Sequence, residues 1–330
     1  MNVLITSASR KVSLVKAFQR ALEAEGGGRV VAADLQPASA ALHVADRGVC
    51  SPRSDDPAFF PFLLALCREE QIGLVVPTRD EELGPFAERR DDFAAVGATV
   101  MVSAPEPIRL CQDKAAFVDF CEARGFGCPR RFAAEALGRD GPFPLFARTR
   151  TSKSSKGAFR VESHAELQVL RQRHGELLVQ EIVCAMEYTL DVLSDLAGRV
   201  LAVVPRERLV VVGGESFVSR TVAAPPLVEA GARLVGALGL VGPSTVQCFL
   251  AGERALFIEC NPRFGGAFAL GLAAGLDSPR WLVKLARGEA VEPFLGRFRA
   301  DYYMLRYTDD LFVDGEALRD RGTDAAVRPV

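Results

Sequence analysis

The chain has 330 residues, a formal net charge of −2 and an apolar content of 49%. At about 150 residues per domain, this length predicts two domains, and the apolar content supports a sizeable core. The near-zero charge, with its signs interspersed, argues against a polyanion-binding surface, so we expect no nucleic-acid partner, while local Lys and Arg clusters still permit small anionic ligands.

The cysteines and the amino terminus bear on the compartment. Eight cysteines are scattered without a Cys-x-x-Cys pair, which is typical of a cytosolic protein. The opening sequence MNVLITSASRK lacks a basic region before its short apolar run. No uninterrupted apolar run reaches the roughly 20 residues that cross a bilayer. We therefore expect a cytoplasmic protein with no membrane partner.

Apolar runs alternate with helical patterns over the first hundred residues, as in NVLITSA, VSLVKAFQRAL, RVVAADL and IGLVVPT. This alternation predicts βαβ units and a parallel, doubly wound sheet. Ligands of such sheets bind outside the carboxyl ends of the strands. Asp80 and Glu81 follow VVPTR at such an end, which makes them candidates for holding a substrate amine. Capping of the next helix is the alternative.

The pattern then changes to hairpin-like strands, which predict a small α+β lid followed by a larger antiparallel sheet. Within the lid, the segment TRTSKSSKGAF surrounds a Ser-rich loop with cations. Backbone N–H groups and cations together form a phosphate cradle, although a solvated basic hairpin is the alternative. The segment is not a Walker loop, because GxxxxGK[ST] is absent.

The stretch ALFIECNPRFGG is the most informative part of the sequence. Interpreted as a regular strand, it places Phe257, Glu259 and Asn261 on one face. Gln247, in the neighbouring run VQCFL, completes an oxygen-only set of the kind that Mg²⁺ binds together with waters and phosphates. A hydrogen-bonded strand end is the alternative. Arg263 would then lie close to a phosphate, so the residues point to a nucleoside triphosphate.

The order of these motifs resembles the ATP-grasp superfamily, and most closely its carbamoyl-phosphate-synthase-like group of stand-alone ligases. The segments CQDKAAF, PLFARTRTSKSSKG, LLVQEIVCAMEYTLDVL, TVQCFL and FIECNPRFGG follow in the family's order over nearly the whole chain. The resemblance implies an α/β and α+β architecture with three parts. These are a Rossmann-like pre-ATP-grasp domain (1–105), a linker helix with a lid subdomain (106–185), and a C-terminal subdomain with a metal site (186–330).

The resemblance also implies that ATP binds with Mg²⁺ or Mn²⁺. Lys114 and Arg148 would hold the α- and β-phosphates, and Arg263 would stabilise the transferring phosphoryl group. The remaining implied roles are a phosphate loop (Ser155, Lys156, Gly157), an adenine hinge (Glu181, Ile182, Val183), a ribose contact (Glu187) and metal ligands (Gln247, Glu259, Asn261).

Three departures from the family pattern bear on turnover. Arg148 replaces the usual Lys, and its planar fork is not equivalent to an ammonium group. The phosphate loop is richer in serine than in glycine, which predicts a stiffer loop. Gln247 is neutral where many members have a carboxylate, which predicts a weaker metal site.

The reaction implied by the resemblance begins when a carboxylate attacks the γ-phosphate of MgATP to give an acylphosphate and ADP. An amine then displaces phosphate. We expect an amino acid or a related small carboxylic acid, together with an amine, as substrates. Arg206 and Arg220 are candidates for binding the substrate carboxylate or the acylphosphate, with solvated hairpin arginines as the alternative.

Two other functions remain open. One is a single-substrate kinase or a carboxyphosphate-forming enzyme, and the other is a weakly catalytic ATP-binding regulatory subunit. The aromatic tail GRFRADYYMLRYTDDLFV predicts packing on the C-terminal sheet or on a second copy, which is compatible with a homodimer.

Overall fold

The computed structural model describes residues 1–151 and 157–320. Its amino-terminal part is a parallel sheet with strand order β3-β2-β1-β4-β5. The strands are β1 Asn2–Thr6, β2 Val30–Asp34, β3 Arg47–Cys50, β4 Ile72–Val76 and β5 Thr99–Val100. The helices are α1 Val12–Ala24, α2 Ala40–Val44, α3 Phe59–Glu69, α4 Asp80–Glu88 and α5 Arg90–Ala94.

Helices cover both faces of this sheet, which explains its continuous apolar strands. Along β1, Val3 and Ile5 belong to one buried cluster with α1. Leu4, between them, belongs to a second cluster with α3 and α4. The doubly wound architecture expected from the sequence is therefore confirmed, and the carboxyl ends of its strands form one edge.

A small antiparallel sheet with strand order β6-β9-β7-β8 follows two connecting helices. The helices of this part are α6 Pro105–Gln112, α7 Lys114–Ala123 and α8 His164–His174. The strands are β6 Arg131–Phe132, β7 Leu145–Thr149, β8 Ala158–Val161 and β9 Leu177–Glu181. Leu145, Ala147 and Val179 pack with Leu167 of α8. By strand alternation, Arg148 points to the opposite face.

The largest sheet has six antiparallel strands in the order β14-β13-β10-β11-β12-β15. They are β10 Glu187–Ser194, β11 Val200–Val212, β12 Glu215–Thr221, β13 Gly242–Ala251, β14 Arg254–Asn261 and β15 Tyr303–Leu305. The helices of this part are α9 Pro225–Leu238, α10 Phe268–Ala273, α11 Ser278–Ala286 and α12 Gly315–Asp320. One face of the sheet is apolar, with Leu190, Val203 and Val246 packed against Leu234 of α9. On the other face, Leu193, Ala202 and Val204 pack in the buried cluster shared with the parallel sheet, and polar side chains occupy the rest.

A shared core joins the parallel sheet to the C-terminal segment. Phe18 of α1, Phe264 and Val283 of α11 lie in the same buried cluster. The rings of Phe18 and Phe264 meet edge to face at 6.1 Å between centroids. Packing of this kind holds the strand ends of the parallel sheet beside the end of β14.

Several further expectations can be compared with this fold. The α/β and α+β class, with a small lid and a larger antiparallel sheet, is confirmed. The boundaries at residues 105 and 185 stay predictions. From the aromatic tail, β15 adds an edge strand to the six-stranded sheet, while the homodimer stays a prediction. No helix within residues 1–151 and 157–320 combines the length and apolarity needed to cross a bilayer.

Candidate active site

The predicted metal ligands come together on the polar face of the six-stranded sheet. Gln247 of β13 lies directly opposite Glu259 of β14, and Thr245 lies opposite Asn261. Side chains directly opposite on neighbouring strands share a face and have Cβ atoms about 5 Å apart. The Asn261 amide donates a hydrogen bond to the Glu259 carboxylate at 3.2 Å. Two amides and one carboxylate therefore form one oxygen-rich cluster.

A β-bulge changes one detail of the sequence-based prediction. The register steps from Gln247 opposite Glu259 to Cys248 opposite Phe257, so Ile258 is an extra residue in β14. Phe257 is consequently buried in the apolar core, on the opposite face from Glu259. The expectation that Phe257 shares a face with the two ligands was wrong, because strict alternation does not hold across a bulge.

Glu187, the predicted ribose contact, lies beside the metal cluster. Its carboxylate accepts a hydrogen bond from the Gln247 amide at 2.8 Å and also pairs with Arg208. Arg208 is largely buried and donates to the carbonyl of Gly214 at 2.9 Å. Sequence reasoning missed Arg208. The alternation of Arg206 and Arg208 in PRERL was the available signal for two arginines on one sheet face.

Arg148 of β7 links the small four-stranded sheet to β14, the strand that carries Glu259 and Asn261. Its guanidinium donates to the side-chain oxygen of Gln180 at 2.7 Å and to the carbonyl of Ile258 at 3.3 Å. Only 5% of Arg148 is exposed, and its Nε has no hydrogen-bond partner among the described residues. Burial lowers the pKa of Arg148, while the negative charge of Glu259 acts in the opposite direction. A buried cation with an unused donor suits an anionic ligand.

Lys114 begins α7 and lies close to the same cluster. Asp113 caps the helix by accepting hydrogen bonds from two first-turn N–H groups at 2.9 and 3.2 Å, and this cap fixes the backbone at Lys114. Burial lowers the pKa of Lys114, Glu259 and Asp80 raise it, and Arg148 lowers it further. Lys114 is therefore close enough to Glu259 and Arg148 for their charges to act on it.

The predicted adenine hinge joins β9 to β10. Glu181 ends β9, and its carboxylate accepts a hydrogen bond from the backbone N–H of Arg130 at 2.7 Å. Ile182 and Val183 lie in the connection that follows. A cavity of about 360 Å³ adjoins the hinge, and its wall is formed by Arg130, Phe132, Pro142, Pro144, Leu145, Arg160, Glu181, Ile182 and Cys184.

The predicted phosphate loop falls partly outside the described residues, since Ser155 and Lys156 both lie there. Gly157 is described, and its φ of +81° is a conformation that favours glycine. Its carbonyl accepts a hydrogen bond from the Thr149 N–H at 2.9 Å, which closes the hairpin between β7 and β8.

Arg263, which follows β14, connects that strand to the parallel sheet. Its guanidinium donates to the Asp80 carboxylate at 3.1 Å and to the carbonyl of Phe264 at 3.1 Å. Asp80 begins α4 at the carboxyl end of β4, so this ion pair joins the parallel sheet to the end of β14 at one cleft. In this structure the partner of Asp80 is Arg263 rather than an open position for a substrate amine. Glu81 is half-exposed and pairs with Arg79 at 3.5 Å.

The two hairpin arginines lie on different faces of the sheet. Arg206 is opposite Thr189, which is opposite Gln247, so Arg206 shares the metal-site face. It is 3% exposed and forms a two-point ion pair with Asp191, at 2.9 and 3.3 Å. Arg220 lies opposite Glu207 on the reverse face and pairs with it at 2.6 Å. The structure does not bring Arg220 to the cluster, because the register reverses its side chain.

The side-chain oxygens of this cluster suit a hard divalent cation that also binds phosphate oxygens. One carboxylate and two amide oxygens match the oxygen preference of Mg²⁺. Among the described residues, no group of three or more His, Cys, Asp or Glu side chains could hold a metal ion. Glu259, Asn261 and Gln247 would therefore supply only part of the coordination, and phosphate oxygens and waters would supply the rest.

Two family models match the sequence. Residues 3–101 match the family described as PylC-like, N-terminal domain. Residues 173–304 match the family described as ATP-grasp in the biosynthetic pathway with Ter operon. The large chain of carbamoyl phosphate synthase from Deinococcus radiodurans is 28% identical over 218 residues, which are 59% of this chain. The match covers 21% of that relative, so this chain spans about a fifth of its length.

Solved structures share the fold. Biotin carboxylase from Campylobacter jejuni superimposes with a TM-score of 0.73 at 16% identity, covering 92% of this chain and 74% of that one. N5-carboxyaminoimidazole synthetase from Staphylococcus aureus gives a TM-score of 0.68 at 15% identity, covering 88% and 78%. The family models and the synthase relative support the ATP-grasp resemblance predicted from the sequence, and residues 173–304 are the part of the chain that matches an ATP-grasp family directly.

Proposed function

We propose that the protein is an ATP-dependent carboxylate–amine ligase that works through an acylphosphate and releases ADP and phosphate. The observation that supports this most strongly is the convergence of Glu259, Asn261 and Gln247 with the cations Arg148 and Lys114 at one sheet edge. We further propose an amino acid or a related small carboxylic acid as the phosphoryl acceptor. The synthase relative supports carbon–nitrogen ligation as the reaction class.

Binding of ATP follows from the charges on both sides of the cleft. Arg148 and Lys114 would hold the α- and β-phosphates from the lid side, and the 182–183 connection would contact the adenine. Glu187, oriented by Arg208, would accept hydrogen bonds from the ribose hydroxyls. When bound, Mg²⁺ would neutralise phosphate charge and orient the γ-phosphate. Phosphoryl transfer needs this positioning and charge stabilisation more than a covalent protein group.

The acid substrate would lie between Arg263 and the parallel sheet. Arg263 lies two residues after the end of β14, which carries Glu259 and Asn261, so its guanidinium is suited to stabilising the transferring phosphoryl group. The carboxylate oxygen would attack the γ-phosphorus, the bond to the β–γ bridging oxygen would break, and ADP would leave. The amine nitrogen would then attack the acyl carbon, phosphate would leave, and the nitrogen would lose a proton. Asp80, paired with Arg263, would hold the guanidinium in place throughout.

The test incubates the purified protein with MgATP and pools of amino acids, small carboxylic acids and amines, with ADP and AMP measured separately. We expect ADP release that depends on both acid and amine. Glu259→Ala should abolish it, because the carboxylate of the metal cluster is lost. Glu253→Ala is the matched control, since Glu253 is exposed on the turn between β13 and β14.

Three results would contradict the proposal. AMP and pyrophosphate as products would exclude an acylphosphate formed from the γ-phosphate. ADP release with a single acid, unaffected by any amine, would favour the kinase or carboxyphosphate function. ATP binding by calorimetry without turnover on any pool would favour the regulatory subunit.

A further inference from the structure

A lysine near the site remains unexplained by ATP binding. Lys11 follows β1, at the same edge of the parallel sheet as Asp80, and it is half-buried. Its ammonium donates a hydrogen bond to the carbonyl of Ser7 at 2.9 Å. Within the described residues no carboxylate lies within ion-pair distance of this ammonium, although an ammonium has three donors. Its other two N–H groups have no hydrogen-bond partner in the part of the chain that the structure describes, so they can bind a ligand.

The carboxylates whose charges act most on Lys11 are already engaged elsewhere. Asp34 accepts hydrogen bonds from the Ser9 and Gln36 N–H groups, at 2.8 and 3.1 Å, and from the Ser39 hydroxyl. Glu82 is 1% exposed and accepts hydrogen bonds from two hydroxyls, those of Thr6 at 2.9 Å and Ser7. These contacts fix both carboxylates in place. A half-buried ammonium that they do not directly pair with would be stabilised by a further anion, since buried charges in proteins are normally paired.

The loop that supplies Lys11 is tightly constrained. Ser7 and Ser9 adopt left-handed conformations, with φ of 47° and 46°, which non-glycine residues rarely do. The Thr78 hydroxyl donates to the Ser7 carbonyl at 2.9 Å, and the Ala41 N–H donates to the Ser9 carbonyl at 3.0 Å. Strained backbone held by several contacts is characteristic of functional sites.

Lys11 and Arg263 lie at the same end of the cleft, because β1 pairs with β4, and Asp80, which follows β4, forms an ion pair with Arg263. Both groups are cations, and Arg263 is already held by Asp80. Two cations at the same end of a cleft are both stabilised by an anionic ligand that binds between them. A single acid with one anionic group at each end would satisfy both.

We propose that the acid substrate has a second anionic group, a carboxylate or a phosphate, and that Lys11 binds it while Arg263 faces the carboxylate that is phosphorylated. This inference rests on the proposed ligase function. It narrows the substrate class from small carboxylic acids in general to dicarboxylic acids or phosphorylated carboxylic acids.

The experiment uses full-length protein and acids matched in pairs. Succinate and glutarate are compared with their monoamides, and phosphoglycolate with glycolate, so that each pair differs in one anionic group. Binding is measured by calorimetry with MgADP present, and turnover by ADP release. The proteins are wild type, Lys11→Met and Lys16→Met. Lys16 is an exposed lysine on α1 and serves as the matched control, with thermal melting to check folding.

We expect dianionic acids to bind wild type at least about 30-fold more tightly than their partners, because a buried charge pair is lost in the partner. Lys11→Met should remove this preference, and Lys16→Met should retain it. The class of acid that binds more tightly, dicarboxylic or phosphorylated, identifies the second anionic group. The proposal is overturned if monoanionic acids bind equally well, if Lys11→Met weakens both members of a pair equally, or if no acid binds. Lys11-dependent binding without ADP release would instead retain this site and refute the ligase function.

Discussion

The buried ion pair between Arg206 and Asp191 gives a sharp test of how the polar sheet face is built. Arg206 is 3% exposed, and its two contacts with Asp191 are 2.9 and 3.3 Å long. Replacing Arg206 with methionine leaves the Asp191 carboxylate buried without its partner. We expect a large decrease in the free energy of unfolding, because the buried charge of Asp191 would no longer be compensated by a cation.

The magnitude follows from the burial of both partners. Removing one member of a buried ion pair costs about 3–5 kcal/mol, whereas replacing both with apolar residues of similar volume is often neutral. The double variant Asp191→Leu with Arg206→Met should therefore regain most of the free energy of unfolding. Burial already raises the pKa of Asp191, and Arg206 counters this effect. Without Arg206, the carboxyl group would become protonated at a higher pH.

Urea denaturation of the wild type, the single variant and the double variant measures these free energies. Turnover of the double variant is measured with the acid found by pool screening. This measurement distinguishes a structural role of Arg206 from a role in binding the substrate. A loss below about 1 kcal/mol in Arg206→Met would refute the burial argument, because exposed ion pairs contribute no more than that. A stable double variant with a greatly raised KM for the acid would support the substrate role expected for Arg206 from the sequence.

Three further predictions concern charges near the cleft. Burial lowers the pKa of Lys114, so its positive charge is lost at lower pH than in free lysine. ATP affinity by calorimetry should fall as the pH rises through that lowered value, and Lys114→Arg should remove the alkaline fall. Burial raises the pKa of Glu82 above 4.5, so its contribution to stability is present below pH 4.5 and is lost as the pH rises through the raised value. Urea denaturation across this range should therefore show wild type losing stability relative to Glu82→Gln, and a constant difference would contradict the sign. Asp80→Asn should lower kcat about 10-fold or more with little change in the KM for ATP, because it weakens a charged hydrogen bond to Arg263. A changed KM for ATP with normal kcat would contradict that role.

Much of the fold was predictable because each strand type leaves its own pattern. The strands of the parallel sheet are buried on both faces and are therefore continuous apolar runs, as in VVAAD of β2. The metal cluster was predictable because Glu259 and Asn261 lie on the same side of the bulge, where alternation holds. Phe257 lies beyond the bulge, and nothing in the local sequence marks the extra residue.

Residues brought together by strand pairing were harder to predict. Arg208 and Glu187 meet only because β10 and β11 pair in one register, and Arg220 is turned away from the site by the separate register between β11 and β12. The partnership of Asp80 with Arg263 spans 183 positions of sequence. Contacts of this kind depend on how the two sheets pack, which one-dimensional patterns do not contain.

The central claim is that a substrate carboxylate attacks the γ-phosphate of ATP. The most direct measurement uses the acid identified from the pools, labelled with ¹⁸O in its carboxylate, in a complete turnover with amine. An acylphosphate mechanism transfers one labelled oxygen to inorganic phosphate, and we expect that result together with unlabelled ADP. Label found in AMP, or absent from phosphate while product forms, would contradict the account.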